Sequence, residues 1–367
     1  MTDSIYLPFD DLDNFMCEAF KKIGVPEEEA AVCADVLIES DKRGIESHGV
    51  NRFKSIYIDR IQAGIQKPTT KIDILREGPT TAVLDANHGM GMVVSHYAMN
   101  MAIEKAKQYG MGMVAVRNST HYGIAGYYVT MATKENMIGM TGTNARPSIA
   151  PTFSVENMLG TNPLTIGLPT DEPFPFVLDC ATSIIQRGKV EKWARNDEPT
   201  PKGTVIGSDG SALTDSNYIL EALLEGEAAF APLGGIGEEL AGYKGYGYAT
   251  VVEILSAALQ SGNYLKMLTG IAEDGKRKPY GLGHFFMAID TESFMGADEF
   301  KKTAGNILRE LRSAKRAPGE EKIYTAGEKE YLARKKNKDK GVKLDSSLIK
   351  ELKAVKEMLN IDLLPRI

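Results

Sequence analysis

The sequence predicts a mixed α/β body flanked by helices from both chain ends that pack together as one discontinuous domain. Two observations carry this. Residues 10–64, 296–314 and 345–359 show apolar side chains at helical spacing, and between them short β-rich runs alternate with helical stretches. The helical domain is expected to comprise 1–72 together with about 315–367, and the α/β domain 73–314.

Three helices are expected between residues 10 and 64. Asp10 is placed to cap the first, whose apolar residues Leu12, Phe15, Met16 and Ile23 fall on one side. Pro26 followed by Glu27, Glu28 and Glu29 starts the second, because proline suits a first turn and carboxylates suit the positive helix end. That helix buries Val32, Cys33, Val36 and Leu37 and runs out near Gly44. The third carries Phe53, Ile56, Tyr57 and Ile61 and stops at Gly64, a C-cap. From about residue 70 strands are expected at 80–85, 111–116, 138–143, 174–179 and 283–290, with a helix over 94–109 on which Val94, Ala98, Met101 and Ala102 share a face. The Lys-rich stretch Arg334 to Lys343 reads as an exposed connection before the last helix.

Composition narrows the function. The 367 residues are 43% apolar, enough for a large core, and 43 basic against 49 acidic residues leave a formal charge of -6. A nucleic-acid surface is not expected from that balance. Cys17, Cys33 and Cys180 form no CxxC pair, which points to a reducing compartment rather than to disulfides or structural zinc. Met1-Thr2-Asp3-Ser4 does not open a secretory leader and no run approaches the roughly 20 apolar residues of a membrane span, so a cytoplasmic protein is expected.

Generic motifs are missing. Gly89-Met90-Gly91-Met92-Val93-Val94 is the nearest approach to a G-x-G-x-x-G dinucleotide loop, with valine where the third glycine should let helix and strand close up. Gly234-Gly235-Ile236-Gly237 and Lys244-Gly245-Tyr246-Gly247 fail too, and there is no GxxxxGK[ST] loop. No metal is expected, because the five histidines lack ligand spacing and no HExxH occurs. Ser47 beside His48 lacks the GxSxG setting of a hydrolase.

The histidines are then the first candidates, imidazole being the side chain best matched to proton transfer near neutrality. His48 sits in Gly44-Ile45-Glu46-Ser47-His48-Gly49-Val50-Asn51-Arg52, with a hydroxyl beside it and a guanidinium able to grip a carboxylate by two parallel hydrogen bonds. The alternative for His48 is a helix cap. His121 follows the strand Met113-Val114-Ala115-Val116, where α/β proteins tend to bind ligands, although the same run reads equally as a solvated loop. His88, His96 and His284 read as structural. Asp179 ends the run Phe174–Leu178 and is placed to bind a ribose, hold an imidazole or cap a helix. Lys244, in a glycine-rich turn, is placed to meet a phosphate or carboxylate, or else faces solvent.

Six motifs then occur in order: Glu46-Ser47-His48-Gly49-Val50, Asn118-Ser119-x-His121-x-Gly123, Gly160-Thr161-Asn162-Pro163, Leu178-Asp179-Cys180-Ala181-Thr182-Ser183, Lys244-Gly245-Tyr246-Gly247 and Gly283-His284-Phe285-Phe286. Together they resemble the type 2 malate/L-lactate dehydrogenase family, which also holds sulfolactate, ureidoglycolate and diketogulonate enzymes and cyclic-imine reductases. The resemblance spans nearly the whole chain.

It implies a non-Rossmann nucleotide domain, the cofactor NAD (or NADP), a small 2-hydroxy or 2-oxo acid as substrate, and a homodimer. By position His48 and His121 match residues given acid–base roles, with Ser47 and Asp179 as catalytic helpers, and Arg52, Thr161 and Asn162 fall to the substrate. Tyr122, Asn144, Ala145, the run Asp179, Cys180, Ala181 and Thr182, the pair Lys244 and Gly245, and the turn Pro318, Gly319 and Glu320 match cofactor-contacting stretches. Ala145 stands where some relatives carry serine, so any side-chain hydrogen bond there is lost. Many relatives join the glycine pair directly to the lysine turn; here Ile236 to Tyr243 intervene, as in the archaeal malate dehydrogenase branch, which favours malate. The rivals are a lactate, sulfolactate or ureidoglycolate dehydrogenase or an imine reductase on the same scaffold, and, further off, a silent nucleotide-binding protein.

Overall fold

A computed structural model describes residues 5–364; the chain's opening Met1-Thr2-Asp3-Ser4 lies outside the described residues. In chain order the first elements are β1 (Ile5–Leu7), α1 (Phe9–Lys22), α2 (Glu27–Lys42), α3 (Asp59–Gln62), β2 (Asp73–Glu77), β3 (Thr81–Asp85), α4 (Gly91–Tyr109), β4 (Met111–Ser119) and α5 (Ala125–Lys134). There follow β5 (Met137–Thr143), β6 (Leu164–Leu168), β7 (Phe176–Cys180), α6 (Arg187–Arg195), β8 (Val205–Gly207), α7 (Ser216–Glu225), β9 (Ala228–Phe230) and α8 (Gly242–Ala257). The last are β10 (Leu282–Asp290), α9 (Ala297–Ser313), α10 (Glu328–Asn337), β11 (Val342–Leu344) and α11 (Ser346–Leu359).

The chain divides into two compact units. The first holds Met1–Thr141, Thr165–Asp179 and Phe286–Ile367; the second holds Gly142–Leu164 and Cys180–Phe285. Most of a seven-stranded sheet, ordered β2-β3-β4-β10-β5-β6-β7, belongs to the first unit. It is mixed, since β2 runs antiparallel and β4 parallel to β3. Beside it in sequence order, β1 pairs antiparallel with β11, Leu7 opposite Val342, so the two chain ends meet in one small sheet. One apolar core then joins Leu12, Phe15 and Phe20 of α1 and Leu37 of α2 to Leu344, Leu352 and Val355 of the tail. Each such large apolar side chain removed from water stabilises the fold by about 1.5–3 kcal/mol. A second core lies on the sheet, where Val94, Ala98 and Ala102 of α4 meet Leu84, Val114, Val116 and Phe286. The second unit has its own core of Ile149, Leu159, Val190, Val205, Ile219, Phe230 and Ala249.

Three expectations are corrected. The third N-terminal helix is broken into two short 3-10 turns, Glu46–His48 and Val50–Arg52, a π-helix Phe53–Ile58 and only then α3. Asp10 lies inside the first turn of α1 rather than at its cap, which is Pro8. The stretch Arg334 to Lys343 is no bare connection: α10 takes its first part, placing Arg334, Lys335 and Lys336 at the negative helix end, and β11 takes its last.

Candidate functional site

In the first unit, α2 ends at Lys42 with Arg43 as its C-cap, and the chain folds straight back through a 3-10 turn, Glu46–His48, that carries Ser47 and His48. Several bonds hold that fold. The Ser40 hydroxyl donates to Ile45 O at 2.7 Å, and the Val50 N–H donates to Asp41 Oδ2 at 2.8 Å. A side chain at Gly49 would occupy the Asp41 carboxyl, so only glycine lets the turn close down on this buried acid. Burial pushes Asp41 up to about 7, against the one Val50 hydrogen bond that lowers it.

On this turn Ser47 Oγ lies 2.9 Å from His48 Nδ1, and Arg52 Nε donates to Ser47 O at 2.7 Å. Desolvation, with the Arg52 charge second, lowers His48 to about 4. His48 is therefore a neutral imidazole at neutral pH, able to accept a proton from a hydroxyl.

His121 arrives from the other direction. It follows β4, and Thr120 anchors the junction: Gly91 N–H donates to Thr120 Oγ1 at 2.9 Å, and Thr120 Oγ1 donates to Gly89 O at 2.9 Å. The glycines that resembled a broken dinucleotide loop thus have a different use. A Cβ on Gly91 would strike the carbonyls of Thr120 and His121, so glycine lets the start of α4 touch the His121 backbone. The His121 and His48 rings stack, centroids 5.7 Å apart and planes inclined by 19°. Tyr57, on the π-helix and fully buried, brings its hydroxyl 2.6 Å from His121 Nδ1, and Gly123 N–H donates to the same nitrogen at 3.3 Å. Tyr57 and Asp41 were not singled out in the sequence. Asp41 had a signal, since it falls four residues after Leu37 on the buried stripe of α2; Tyr57 looked like one more core residue.

Asp179 does a different job from holding an imidazole. Its carboxylate accepts from Gly126 N–H at 2.7 Å and from Thr165 at 2.9 Å, with Arg43 nearby, and so caps the N-terminal turn of α5 from another strand. Burial raises its pKa even so. The Tyr122 ring is packed in the sheet core against Tyr128, centroids 5.2 Å apart. Pro318, Gly319 and Glu320 form an exposed turn, with Gly319 at φ +86°.

In the second unit most of the remaining candidates converge. Thr182 N–H and Oγ1 donate to Thr161 O, at 2.9 and 3.1 Å, and Leu233 N–H donates to Thr182 O at 2.9 Å. Leu233 leads into Gly234-Gly235, and a Cβ on Gly245 would strike the Leu233 backbone, so α8 starts against this turn. Lys244 is therefore corrected from a loop to the exposed first turn of α8; three glycines with poor helix propensity hid a helix that tertiary contact enforces. Asn162 donates to the buried Glu253 at 2.7 Å, Glu253 also accepts from Leu265 N–H at 2.8 Å, and burial raises the Glu253 pKa. The Asn144 side chain bridges Asn263 O and Gly283 N–H, at 3.0 and 2.8 Å, while the Ala145 backbone packs on Gly160. Cys180 is half-buried with its thiol 3.9 Å from Leu164 O, and Ala181 joins it to Thr182.

A polar, elongated cofactor fits this cluster. Ser183 Oγ and Asn162 Oδ1 are buried without a protein partner, and no side chain caps the N-terminus of α8. Unpartnered buried polar atoms and a helix start without a side-chain cap are what amide, ribose and phosphate groups satisfy. Among the described residues no group of His, Cys, Asp and Glu is arranged to hold a metal, and no helix is long and apolar enough to cross a membrane.

A sequence profile described as malate/L-lactate dehydrogenase matches residues 7–353. The chain is 40% identical to a malate dehydrogenase of Pyrococcus horikoshii over 98% of this chain and 96% of that relative. It is 39% identical to an L-sulfolactate dehydrogenase of Methanocaldococcus jannaschii, over 94% and 95%. The crystal structure of a malate dehydrogenase from Entamoeba histolytica superimposes with a TM-score of 0.94 at 45% identity, covering 99% of this chain and 100% of that one.

Proposed function

The chain belongs to the malate/L-lactate dehydrogenase family, and from that premise we propose that it interconverts malate and oxaloacetate with NAD, with NADP as the alternative cofactor. The stacked pair His48–His121, with Arg52 joined to the same turn, is the observation that carries this reading. The bound nicotinamide supplies or accepts the hydride. The chain's own residues do the rest. His48, neutral and desolvated, takes the hydroxyl proton during oxidation and returns it during reduction, with Ser47 fixing its ring. Arg52 holds a carboxylate of the substrate. His121 hydrogen-bonds the reacting oxygen. Thr182, Lys244 and Gly245 line the cofactor's place in the second unit, and Asp179 acts by fixing the start of α5.

Malate is preferred over other 2-hydroxy acids because the relatives at 40–42% identity are named malate dehydrogenases. The homodimer implied by the resemblance belongs to the same proposal, supported by an apolar outer face on α8 where Val251 and Ile254 are about half exposed. A cytoplasmic setting accords with Cys17, Cys33 and Cys180 all being free thiols.

The test follows NAD(P)H absorbance with oxaloacetate, pyruvate, sulfopyruvate and 2-oxoacid analogues against both cofactors, in wild type and His48→Ala. Oxaloacetate with NADH is expected to turn over fastest, and His48→Ala to lose about 10²-fold or more in kcat with cofactor affinity kept. Full turnover by His48→Ala would move the proton to His121; sulfopyruvate in first place would replace malate with its sulfonate analogue.

A further inference from the structure

We propose that Tyr57 is a positioning residue that holds His121 in its Nε2–H tautomer, so that His121 meets the substrate as a neutral hydrogen-bond donor while His48 alone moves the proton. The inference deepens the dehydrogenase reading and rests on it for the identity of the substrate oxygen.

The argument is one of donor and acceptor accounting. A neutral imidazole has one N–H and one lone pair, and the partner of one nitrogen decides which is which. At His121 Nδ1 two groups converge: the Tyr57 hydroxyl at 2.6 Å and the Gly123 N–H at 3.3 Å. A backbone N–H can only donate. The Gly123 N–H is shared between Nδ1 and the Tyr57 oxygen, so the geometry assigns the lone pair to Nδ1, the donor's part to the Tyr57 hydroxyl at the shorter distance, and the ring hydrogen to Nε2. Tyr57 suits this task because burial raises its pKa far above the ordinary phenol value and keeps the hydroxyl protonated.

The surroundings are built around that contact. Tyr57 has no exposed surface, and its ring lies edge-on to Phe20, centroids 6.1 Å apart, and to His121 at 5.8 Å. It is carried on the π-helix Phe53–Ile58, a rare conformation that recurs at functional sites. Gly123 adopts φ +78°, and a side chain there would strike Val36, so the N–H that shares the contact depends on glycine. His48 differs, since its Nδ1 meets only the rotatable hydroxyl of Ser47, which can donate or accept. The two stacked rings are thus unequal: one is locked in a single tautomer, and the other is free to gain and lose a proton.

The experiment is ¹⁵N NMR of the full-length protein labelled at histidine, with His121→Asn used to assign the His121 resonances, alongside kinetics of Tyr57→Phe. In the wild type His121 is expected to show an unprotonated Nδ1 and a protonated Nε2. Tyr57→Phe should give a mixture of tautomers, a kcat at least tenfold lower and an unchanged KM for the cofactor. A wild-type His121 protonated on Nδ1 would overturn the proposal, as would Tyr57→Phe with wild-type turnover and tautomer. The wild-type spectrum decides the tautomer even if Tyr57→Phe does not fold. It needs no substrate, so a single Nε2–H form in a protein that reduces no 2-oxo acid would sink the dehydrogenase reading and leave the tautomer assignment standing.

Discussion

Asp41 is the side chain with most to say beyond the two histidines. The residue is 6% exposed, and its carboxyl lies under Gly49 and Val50, with the Val50 N–H as its backbone donor. A carboxyl in that position is better accommodated neutral, which is why it rises from 3.8 to about 7. The consequence for stability has a definite sign. Between these two values the folded protein binds more protons at Asp41 than the unfolded chain does, so stability is full below 3.8 and declines as pH rises through about 7. Asp41→Asn keeps an oxygen for the Val50 N–H and removes the charge. It is expected to raise the thermal midpoint at pH values above about 7 and to change it little at pH values near 4, as read by circular dichroism across that range. A variant that melts lower than wild type in alkaline buffer would show that the carboxylate is not held at a desolvation cost. Glu253 belongs to the same class, but its acceptor oxygens are better supplied, by Asn162 and Leu265.

The join between α4 and the segment after β4 is a contact that no local pattern in the sequence announces. The periodicity of α2 and α4 and the alternation of β4 are local properties, and the sequence displays them directly. So are the six ordered motifs, which is why the sequence points to His48, His121 and Thr182 as candidates. What local pattern does not carry is why a glycine is a glycine. Gly89 and Gly91 resemble a phosphate loop, yet Gly91 serves a backbone approach to Thr120 and His121 from a segment about 30 residues away. Gly242 and Gly245 resemble a turn, yet they let α8 begin against Gly235 and Leu233. The π-helix escaped for a similar reason, because its side chains keep an apolar pattern that an α-helix would share. Gly91→Ala tests the first of these. Alanine is a good residue for a helix's first turn, so α4 itself should form, but its methyl must push the Thr120–His121 carbonyls away. The expected result is a loss of about 1–3 kcal/mol in stability together with at least a tenfold fall in kcat/KM, since misplacement by about 1 Å is enough for that. Lower stability with full activity would confine Gly91 to a packing role.

The two ends of the chain form one structure that backs the candidate site near its beginning. β1 and β11 pair residue for residue, and Leu352 and Val355 of α11 enter the same core as Phe15, Phe20, Leu37 and Phe53. Phe53 begins the π-helix that carries Tyr57, and the helix bearing Leu37 ends in the turn that carries His48. The tail therefore does more than cover apolar surface: its side chains share a core with Val50, beside the His48 turn, and with Phe53 and Tyr57 of the π-helix. Leu352, 1% exposed, is the most direct probe of this. Leu352→Ala is expected to cost about 2–5 kcal/mol, the range for a buried leucine whose cavity only partly collapses. Because α1, α2 and α11 share that core, the loss should be felt by the site and the helices together. In a urea titration the midpoints followed by far-UV circular dichroism and by dehydrogenase turnover should move down by the same amount. If turnover disappears at urea concentrations that leave the helical signal intact, the tail supports the site through a local contact that opens on its own. If neither midpoint moves, α11 adds nothing to the core that residues 5–58 cannot supply alone.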